Sequence, residues 1–263
     1  MNLSKPPPYT QSHNLLAGRK VIITAAAGTG IGFAVAKRCA EEGAALLISD
    51  IHERRLQDAA NRLADETGVT PVTCLCNVTD QQDIDELFRS ARDTFGAPDV
   101  VINNAGLGGT ANIVEMTDEA WHQVLDITLN GTFRMTRAAM QAMSGSGGAI
   151  INNASVLGWR AQKGQAHYAA AKAGVMALTR CAGLEGAELG IRVNAVAPGP
   201  VWTPFIPGSM PDDMVADFGK QAPMGRAGQP WEIATSYLFL ACDDGSYVTG
   251  QTLHPNGGYV VNA

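Results

Sequence analysis

The chain has 263 residues, of which 46% are hydrophobic and 17% charged, and its formal net charge at pH 7 is −6. This composition excludes a disordered chain, a collagen-like fibre and a coiled coil, and it allows one large α/β domain or at most two smaller ones. The acidic balance argues against nucleic-acid and anionic-membrane partners. Glycine is enriched, with 29 residues or about 11% against a usual share of about 7%.

The N-terminal segment, residues 1–15, is predicted to be a flexible or surface-draped arm. It is polar and contains Pro6-Pro7-Pro8, and it lacks the positive start and apolar core of a signal peptide. No apolar run is long enough to span a bilayer. The five cysteines and five histidines show no metal-ligand spacing. We therefore expect a reduced, cytoplasmic protein without a metal site.

From residue 16 to residue 263 short β-branched runs alternate with longer helical stretches. Strands are predicted at Lys20–Thr24, Ala45–Asp50, Pro71–Asn77, Asp99–Asn103, Gly148–Ala154, Ile191–Ala195 and Thr249–Leu253. Helices are predicted at Gly30–Glu42, Glu53–Thr67, Gln81–Phe95, Asp118–Met143, Gln165–Leu189 and Pro230–Cys242. Several of the strands are apolar on both faces, which is typical of a parallel sheet covered on both sides. The predicted fold is a single Rossmann-like, doubly wound α/β domain of about seven strands, with ligands outside the strands' carboxyl ends.

The turn after the first predicted strand contains Gly28, Gly30 and Gly32. Such glycines let the backbone approach a pyrophosphate, and the following helix points its N-terminal N–H groups at that pyrophosphate. Tight βα turns also need glycine for steric reasons alone, so the turn by itself is weak evidence.

Asp50 strengthens the prediction of a dinucleotide, because it ends the second predicted strand, 20 residues beyond Gly30. A carboxylate there can accept hydrogen bonds from the ribose hydroxyls and would repel a 2′-phosphate. The sequence therefore predicts NAD rather than NADP, a preference that Arg54 and Arg55 could moderate. The alternative, that Asp50 caps the helix starting near Glu53, remains open at this point.

A second group of polar residues follows the fifth predicted strand. Tyr168 and Lys172 are spaced i, i+4, so both project from one face of a helix. An ammonium group near the phenol is expected to lower the pKa of Tyr168. Ser155 lies just past a strand's carboxyl end, where its hydroxyl can hold a substrate oxygen. A Tyr-x-x-x-Lys pair occurs often by chance, but here the rest of the helix is rich in alanine.

With these motifs the chain resembles the short-chain dehydrogenase/reductase family over roughly residues 16–260. The resemblance is carried, in order along the chain, by Gly30-Ile31-Gly32, Asn103-Asn104-Ala105-Gly106, Ser155, Tyr168, Lys172, Asn194-Ala195-Val196-Ala197-Pro198-Gly199 and Asn256-Gly257-Gly258. Each motif is modest alone, and their order and spacing make the resemblance specific.

The resemblance implies a role for each matching residue. Tyr168 would be the general acid/base, Lys172 would lower its pKa and bind the nicotinamide ribose, and Ser155 would position the substrate oxygen. The cofactor would bind to Tyr168 and Lys172 and to further residues in the loops after the strands: Ala26, Gly28, Thr29, Gly30, Ile31, Asp50, Asn77, Val78, Asn104, Ala105, Gly106, Pro198, Gly199, Val201 and Thr203. A hydride would then pass between the carbinol carbon and the nicotinamide.

Three positions depart from the family's pattern. The usual Thr-Gly of the turn falls on Ala25-Ala26, and the acid that is common after the third strand is Asn77. The Asn that the family often places on the long helix is Thr128. We predict that Thr128 is the fourth catalytic position and that activity is retained with an altered proton relay.

The substrate side is predicted to be largely apolar. Pro200–Ala222 is interpreted as a substrate lid, with Trp202, Phe205 and Ile206 and a stripe at Met210, Met214 and Phe218, although a helix merely packed on the domain fits equally well. The predicted substrate contacts are Leu107, Leu157, Trp159, Gln162 and Trp202. They favour a bulky, steroid-like or alicyclic alcohol or ketone, and Arg160 or His167 could meet a carboxylate or coenzyme A group.

Two other functions stay open: a sugar or small polyol dehydrogenase, and a non-catalytic dinucleotide-binding regulator on the same fold. The intact Ser155, Tyr168 and Lys172 argue against the regulator. The family resemblance also implies a homotetramer.

Overall fold

A computed structural model describes residues 3–203, 206, 215 and 217–261. The strands are β1 (Lys20–Ile23), β2 (Ala45–Asp50), β3 (Val72–Leu75), β4 (Val100–Asn103), β5 (Gly148–Asn153), β6 (Ile191–Val196) and β7 (Thr252–Leu253). The α-helices in this part of the chain are α1 (Ile31–Glu41), α2 (Glu53–Thr67), α3 (Gln81–Phe95), α4 (Asp118–Leu125), α5 (Gly131–Ala142), α6 (Ala166–Ala187) and α7 (Pro230–Ala241). None of these helices is long and apolar enough to cross a membrane.

The seven strands form one parallel sheet in the order β3-β2-β1-β4-β5-β6-β7, which confirms the predicted fold class. Val21 and Ile23 of β1 pack with α1, α2 and α7 on one face, while Ile22 packs with α3 and α5 on the other. Apolar residues on both faces of the strands therefore form two hydrophobic layers. The strand order reverses between β1 and β4, and such a reversal opens a crevice at the strands' carboxyl ends.

The edge strands are shorter than predicted. Extended structure was expected over Pro71–Asn77 and Thr249–Leu253, whereas β3 has four residues and β7 only two. Both strands have a single neighbour in the sheet, so fewer hydrogen bonds hold their ends. Before β7, Gly250 has φ +69°, a left-handed conformation that interrupts an extended chain.

The long helix predicted at Asp118–Met143 is interrupted. A π-helical segment, Asp126–Asn130, separates α4 from α5 and contains Thr128. The next residue is Gly131, where an added Cβ would lie 2.7 Å from Cγ2 of Val78. Such π segments are common at functional sites.

Residues 3–15 of the N-terminal arm contain no helix or strand and lie along α1. Arg38 of α1 donates hydrogen bonds to the carbonyl oxygens of Thr10 (2.6 Å) and Gln11 (2.9 Å). Glu42 accepts hydrogen bonds from the backbone N–H groups of His13 and Leu15, both at 2.9 Å. Arg38 and Glu42 also form an ion pair with each other, and their side chains are only 4% and 0% exposed. Two buried charges therefore hold an otherwise exposed segment.

Candidate active site

The crevice at the strand reversal holds a cavity of about 660 Å³. The structure brings thirteen of the predicted site residues to its wall: Ile31, Asn104, Gly106, Leu107, Ser155, Leu157, Gln162, Tyr168, Lys172, Pro198, Gly199, Val201 and Thr203. They come from loops that follow β1, β4, β5 and β6 and from the first turns of α6. Residues far apart in sequence therefore share one wall because parallel strands end at the same edge of the sheet.

The turn between β1 and α1 is tightly packed against Asn104. An added Cβ on Gly32 would lie 2.4 Å from the carbonyl oxygen of Ala25 and 2.5 Å from Nδ2 of Asn104, so only glycine fits there. Gly28 has φ +135°. Ala25 is left-handed as well, with φ +51°, and Ala26 is fully buried. The alanines that replace the family's usual Thr-Gly therefore still form a tight turn, at the cost of a left-handed alanine.

The start of α1 has the features of an anion site. Gly30 is its N-cap, no side chain caps the helix, and its first turn contains no acidic residue. The backbone N–H groups and the positive end of the helix dipole are thus available to a diphosphate. With the closely packed Gly32 turn and an acid at the end of β2, these residues fit a dinucleotide. Thr29 belongs to the same turn.

Asp50 ends β2 and is 9% exposed. Its Oδ1 accepts a hydrogen bond from the backbone N–H of His52 at 3.0 Å. Burial raises the pKa of the Asp50 carboxyl, and Arg55 and the backbone N–H groups of Ala27 and Ile51 partly offset this. The N-cap of α2 is His52, with no side-chain cap, so the structure does not bear out the alternative that Asp50 caps this helix.

The predicted adenine-side residues follow β3. Oδ1 of Asn77 accepts hydrogen bonds from the backbone N–H (3.1 Å) and the hydroxyl (2.9 Å) of Thr79, so this side chain closes a turn. Val78 is buried against Gly131, and Ala105 follows Asn104 and donates its N–H to the Thr24 hydroxyl at 3.1 Å. Their contacts with a cofactor stay predictions.

Ser155, Tyr168 and Lys172 are brought together by β5 and α6. Ser155 is the second residue after β5; its hydroxyl oxygen accepts a hydrogen bond from the backbone N–H of Leu157 at 3.2 Å, and it lines the same cavity as Tyr168. The ammonium nitrogen of Lys172 lies 5.6 Å from the centre of the Tyr168 ring. Lys172 is 1% exposed and donates a hydrogen bond to the carbonyl oxygen of Asn153. The phenol of Tyr168, the hydroxyl of Ser155 and the ammonium group of Lys172 thus lie together at one wall of the cavity.

The pKa shifts of this pair differ from the sequence-based expectation. Burial raises the pKa of the Tyr168 phenol, and the Ser155 side chain offsets this only in part. Burial lowers the pKa of Lys172 to about 7. The expected lowering of the pKa of Tyr168 by Lys172 is therefore wrong. Removal from water favours the neutral form of each group.

Thr128 holds the loop that follows β4. Its hydroxyl accepts a hydrogen bond from the backbone N–H of Leu107 (2.9 Å) and donates one to the carbonyl oxygen of the same residue (3.0 Å). The carbonyl oxygen of Thr128 accepts a hydrogen bond from the Thr132 hydroxyl at 2.8 Å. The Thr128 hydroxyl donates its proton to the carbonyl oxygen of Leu107. This hydrogen bond indicates that Thr128 positions the loop rather than relaying protons.

The predicted substrate contacts divide into two groups. Leu107, Leu157 and Gln162 line the cavity, whereas Trp159 and Trp202 are not part of its wall. The ring of Trp159 lies 6.0 Å from that of His254, and the ring of Trp202 lies 6.2 Å from that of Phe218.

The predicted lid is only partly described. Phe205, Met210 and Met214 lie outside the described residues. Ile206 and Phe218, at the two ends of that stretch, line the cavity.

Sequence reasoning missed Asn153, which also lines the cavity and contacts Lys172. A signal was present, because Asn-Asn-Ala occurs both at Asn103–Ala105 and at Asn152–Ala154. Within the described residues no three His, Cys, Asp or Glu side chains come together as a metal site.

Comparisons with known proteins decide the family. A family profile described as enoyl-(acyl carrier protein) reductase matches residues 25–260. One relative, the (5R,7aS)-5-hydroxy-7a-methyl-1-oxo-2,3,5,6,7,7a-hexahydro-1H-indene-carboxyl-CoA reductase of Mycobacterium tuberculosis, is 48% identical over 256 residues, which cover 96% of this chain and 97% of the relative. The chain belongs to the short-chain dehydrogenase/reductase family.

Other short-chain dehydrogenases/reductases agree in fold and length. A crystal structure of a short chain dehydrogenase from Mycobacterium smegmatis is 46% identical, with a TM-score of 0.86, and the match covers 97% of this chain and 98% of that one. The NADPH-dependent aldehyde reductase 1 of Arabidopsis thaliana is 38% identical over 261 residues, which cover 96% of this chain and 90% of that protein. This chain is thus an oxidoreductase whose family uses a nicotinamide dinucleotide.

Replacing Thr128 tests its positioning role. Thr128→Val keeps the shape of the side chain but leaves both backbone groups of Leu107 without their partner. We expect it to lower the free energy of unfolding by about 1–2 kcal/mol and to lower kcat/KM without changing the shape of the pH–rate profile. Thr128→Ser, which keeps the hydroxyl, is the control. A displaced pH–rate profile in Thr128→Val alone would instead show that the hydroxyl relays protons.

Proposed function

We propose that this chain catalyses reversible hydride transfer between NAD(H) and a secondary alcohol or ketone on an alicyclic ring system carried as a coenzyme A thioester. The observation that carries the proposal is the group formed by Ser155, Tyr168 and Lys172 at the wall of a cavity that also reaches the start of α1. The 48% identity to an indene-carboxyl-CoA reductase supports this substrate class.

In this proposal Tyr168 exchanges a proton with the substrate oxygen. Its raised pKa keeps the phenol protonated at neutral pH, which suits a proton donor in ketone reduction. The Ser155 hydroxyl hydrogen-bonds the same oxygen and fixes its distance to Tyr168. The nicotinamide, when bound, supplies or accepts the hydride at the carbon. In the oxidation direction the phenolate form of Tyr168, which is populated as the pH rises towards its raised pKa, accepts the proton of the alcohol.

The cofactor would lie along the carboxyl ends of β1, β2 and β4. The backbone of Ala26, Gly28, Thr29, Gly30 and Ile31 would hold the diphosphate, and Asp50 would accept hydrogen bonds from the adenosine ribose. Asn77, Val78, Asn104, Ala105 and Gly106 would line the adenosine side. Lys172 would meet the nicotinamide ribose, and Pro198, Gly199, Val201 and Thr203 would contact the nicotinamide.

The substrate ring would lie against Leu107 and Leu157, with Gln162 at the cavity wall. These two leucines line the same cavity as Tyr168 and supply apolar surface, as a fused alicyclic ring requires. Trp159 and Trp202 would contact the parts of the substrate that extend beyond the cavity.

The experiment is a cofactor-oxidation screen of the purified protein with NADH and NADPH. The substrates are a fused-ring ketone as its coenzyme A thioester, the free acid of the same ketone, a short-chain ketone and a ketose. We expect the highest kcat/KM with the thioester and NADH. A higher kcat/KM with the ketose would favour a sugar or polyol dehydrogenase. Cofactor binding without turnover of any substrate would favour the non-catalytic regulator.

Removing the charge of Asp50 is expected to relax the cofactor preference. In Asp50→Asn the repulsion of the 2′-phosphate disappears, so the ratio of kcat/KM for NADPH to that for NADH should rise about 10- to 100-fold. Asp58→Asn, on an exposed face of α2, removes the same charge away from the strand end and should leave the ratio unchanged. An unchanged ratio in Asp50→Asn as well would remove Asp50 from the adenosine site.

The proposal includes a homotetramer. One face of α6, opposite the buried Lys172, exposes the small or apolar residues Ala170, Ala173, Ala177, Cys181 and Leu184. Leu184 is 77% exposed, although it is large and apolar. A second copy packed on this face would cover it. Light scattering of the purified protein should give four times the chain mass of 27.6 kDa, and a monomer would contradict this assembly.

A further inference from the structure

The repeated Asn-Asn-Ala places two pairs of asparagines side by side on adjacent strands. Asn103 of β4 is in register with Asn152 of β5, so Asn104 and Asn153 form the next pair towards the carboxyl ends of the strands. These pairs are called here the lower rung (Asn103–Asn152) and the upper rung (Asn104–Asn153). Each rung has a hydrogen bond from an Nδ2 group to an Oδ1 atom, at 2.9 Å in the lower rung and 3.1 Å in the upper one.

The upper rung is tied to the turn between β1 and α1. Nδ2 of Asn153 donates to Oδ1 of Asn104 (3.1 Å). Nδ2 of Asn104 in turn donates to the carbonyl oxygens of Thr24 (3.2 Å) and Ala25 (3.0 Å). The same turn leads into Gly30 at the start of α1. The amide of Asn153 therefore sets the orientation of the side chain that holds this turn.

The backbone of Asn153 reaches Lys172. The ammonium group of Lys172 donates to the backbone carbonyl oxygen of Asn153, and in the described part of the chain it has no other hydrogen-bond partner. Since a lysine side chain has four rotatable bonds, this single acceptor and the surrounding packing fix the position of the ammonium group.

The lower rung serves a different purpose. Asn103 also donates to the Thr136 hydroxyl on α5 (3.2 Å), and Asn152 donates to the Thr179 hydroxyl on α6 (3.0 Å). All four residues are buried, and their contacts join the sheet to the helices that cover it. None of these hydrogen bonds reaches Lys172 or the glycine turn. A substitution that disturbs the lower rung can therefore serve as a control for a substitution in the upper rung.

We propose that Asn153 is a positioning residue that, through Asn104, fixes the Lys172 ammonium group relative to the glycine turn. When the turn holds a cofactor, the distance between the ammonium group and the ribose of the cofactor is then fixed. This inference rests on the role of Lys172 in the proposed function. Because a misplacement of about 1 Å can reduce a rate about 10²-fold, such a link affects catalysis without touching the substrate.

The test is a double-mutant cycle on cofactor binding, with Asn104→Leu, Asn153→Leu and the double variant. Dissociation constants for NADH and NADPH are measured by fluorescence titration without substrate. We expect each single variant to raise the dissociation constant of the preferred cofactor about 2- to 10-fold. The dissociation constant of the double variant should be close to that of the single variant that binds the cofactor less tightly. Asn153→Ala replaces Asn153→Leu if the larger side chain prevents folding.

Steady-state kinetics supply the second measurement. Asn153→Leu should lower kcat about 10- to 100-fold, shift the pH–rate profile and leave the substrate KM almost unchanged. Thr136→Val, which disturbs the lower rung, is the matched control and should leave both the profile and cofactor binding unchanged. Additive effects on cofactor binding, or equal effects of Asn153→Leu and Thr136→Val, would overturn the proposal. Absence of turnover in the wild type would contradict the proposed function instead, while the binding cycle would still decide the role of Asn153.

Discussion

Tyr168→Phe is expected to reduce kcat for ketone reduction by about 10²- to 10⁴-fold, the usual contribution of a positioned general acid. Only the hydroxyl is lost, and the aromatic ring keeps its packing next to Gly108, where an added Cβ would lie 3.6 Å from Cδ2 of Tyr168. Fluorescence titration with NADH should therefore give a dissociation constant close to that of the wild type. Steady-state kinetics with the thioester ketone measure the loss of kcat.

The pH dependence of the same variant gives an independent check. Burial raises the pKa of Tyr168 above its ordinary value of 10.0, so the donor is protonated at neutral pH and loses its proton only as the pH rises through that raised pKa. For ketone reduction, the loss of kcat/KM that depends on Tyr168 should therefore occur only in alkaline solution. In Tyr168→Phe this alkaline fall should disappear.

A second buried tyrosine provides the control for Tyr168. Tyr237 of α7 is 0% exposed, and its hydroxyl has no hydrogen-bond partner in the described structure. Tyr237→Phe removes the same atom from a buried ring and should leave kcat unchanged. If Tyr168→Phe retains the wild-type kcat, Tyr168 is not the general acid and another group must donate the proton.

Glu42→Gln is expected to lower the free energy of unfolding by about 3–5 kcal/mol, as is typical when one partner of a buried ion pair is removed. The guanidinium of Arg38 would keep only the longer ion pair with Glu41, at 3.9 Å. The weakened acceptor would also hold the N–H groups of His13 and Leu15 less tightly. Thermal unfolding should show a midpoint lower by roughly 10 °C.

The neighbouring Glu41 supplies the control for Glu42. Its side chain is 21% exposed and accepts a hydrogen bond from the Tyr9 hydroxyl at 2.6 Å. Its ion pairs, with Lys37 at 4.0 Å and with Arg38 at 3.9 Å, are longer than that of Glu42 with Arg38. Glu41→Gln removes the same charge from a partly hydrated site and should cost at most about 1 kcal/mol. Similar stability losses in both variants would show that the buried pair adds nothing beyond a surface contact. Both variants should keep the wild-type kcat, since the arm packs against Arg38 and Glu42 and none of residues 3–15 lines the cavity that holds Tyr168.

The fold class could be predicted from the sequence because its signals are local. Residues such as Val21, Ile22 and Ile23 are apolar on both faces of a short strand, and this pattern alone indicates a parallel sheet between two helical layers. The i, i+4 spacing of Tyr168 and Lys172 places both on one helix face, whatever the helix packs against. The lengths of the edge strands β3 and β7 were overestimated, because their ends depend on how many neighbours pair with them.

Tertiary structure alone decided the properties that depend on packing. The π-helical segment around Thr128 interrupts a helix that the sequence pattern predicts to be continuous. Asn104 and Asn153 are 49 residues apart and meet only in the sheet. Arg38 and Glu42 are one helical turn apart, but their burial depends on the N-terminal arm that packs over them. The direction of the pKa shift of Tyr168 also belongs here, because desolvation depends on the atoms that exclude water from the phenol.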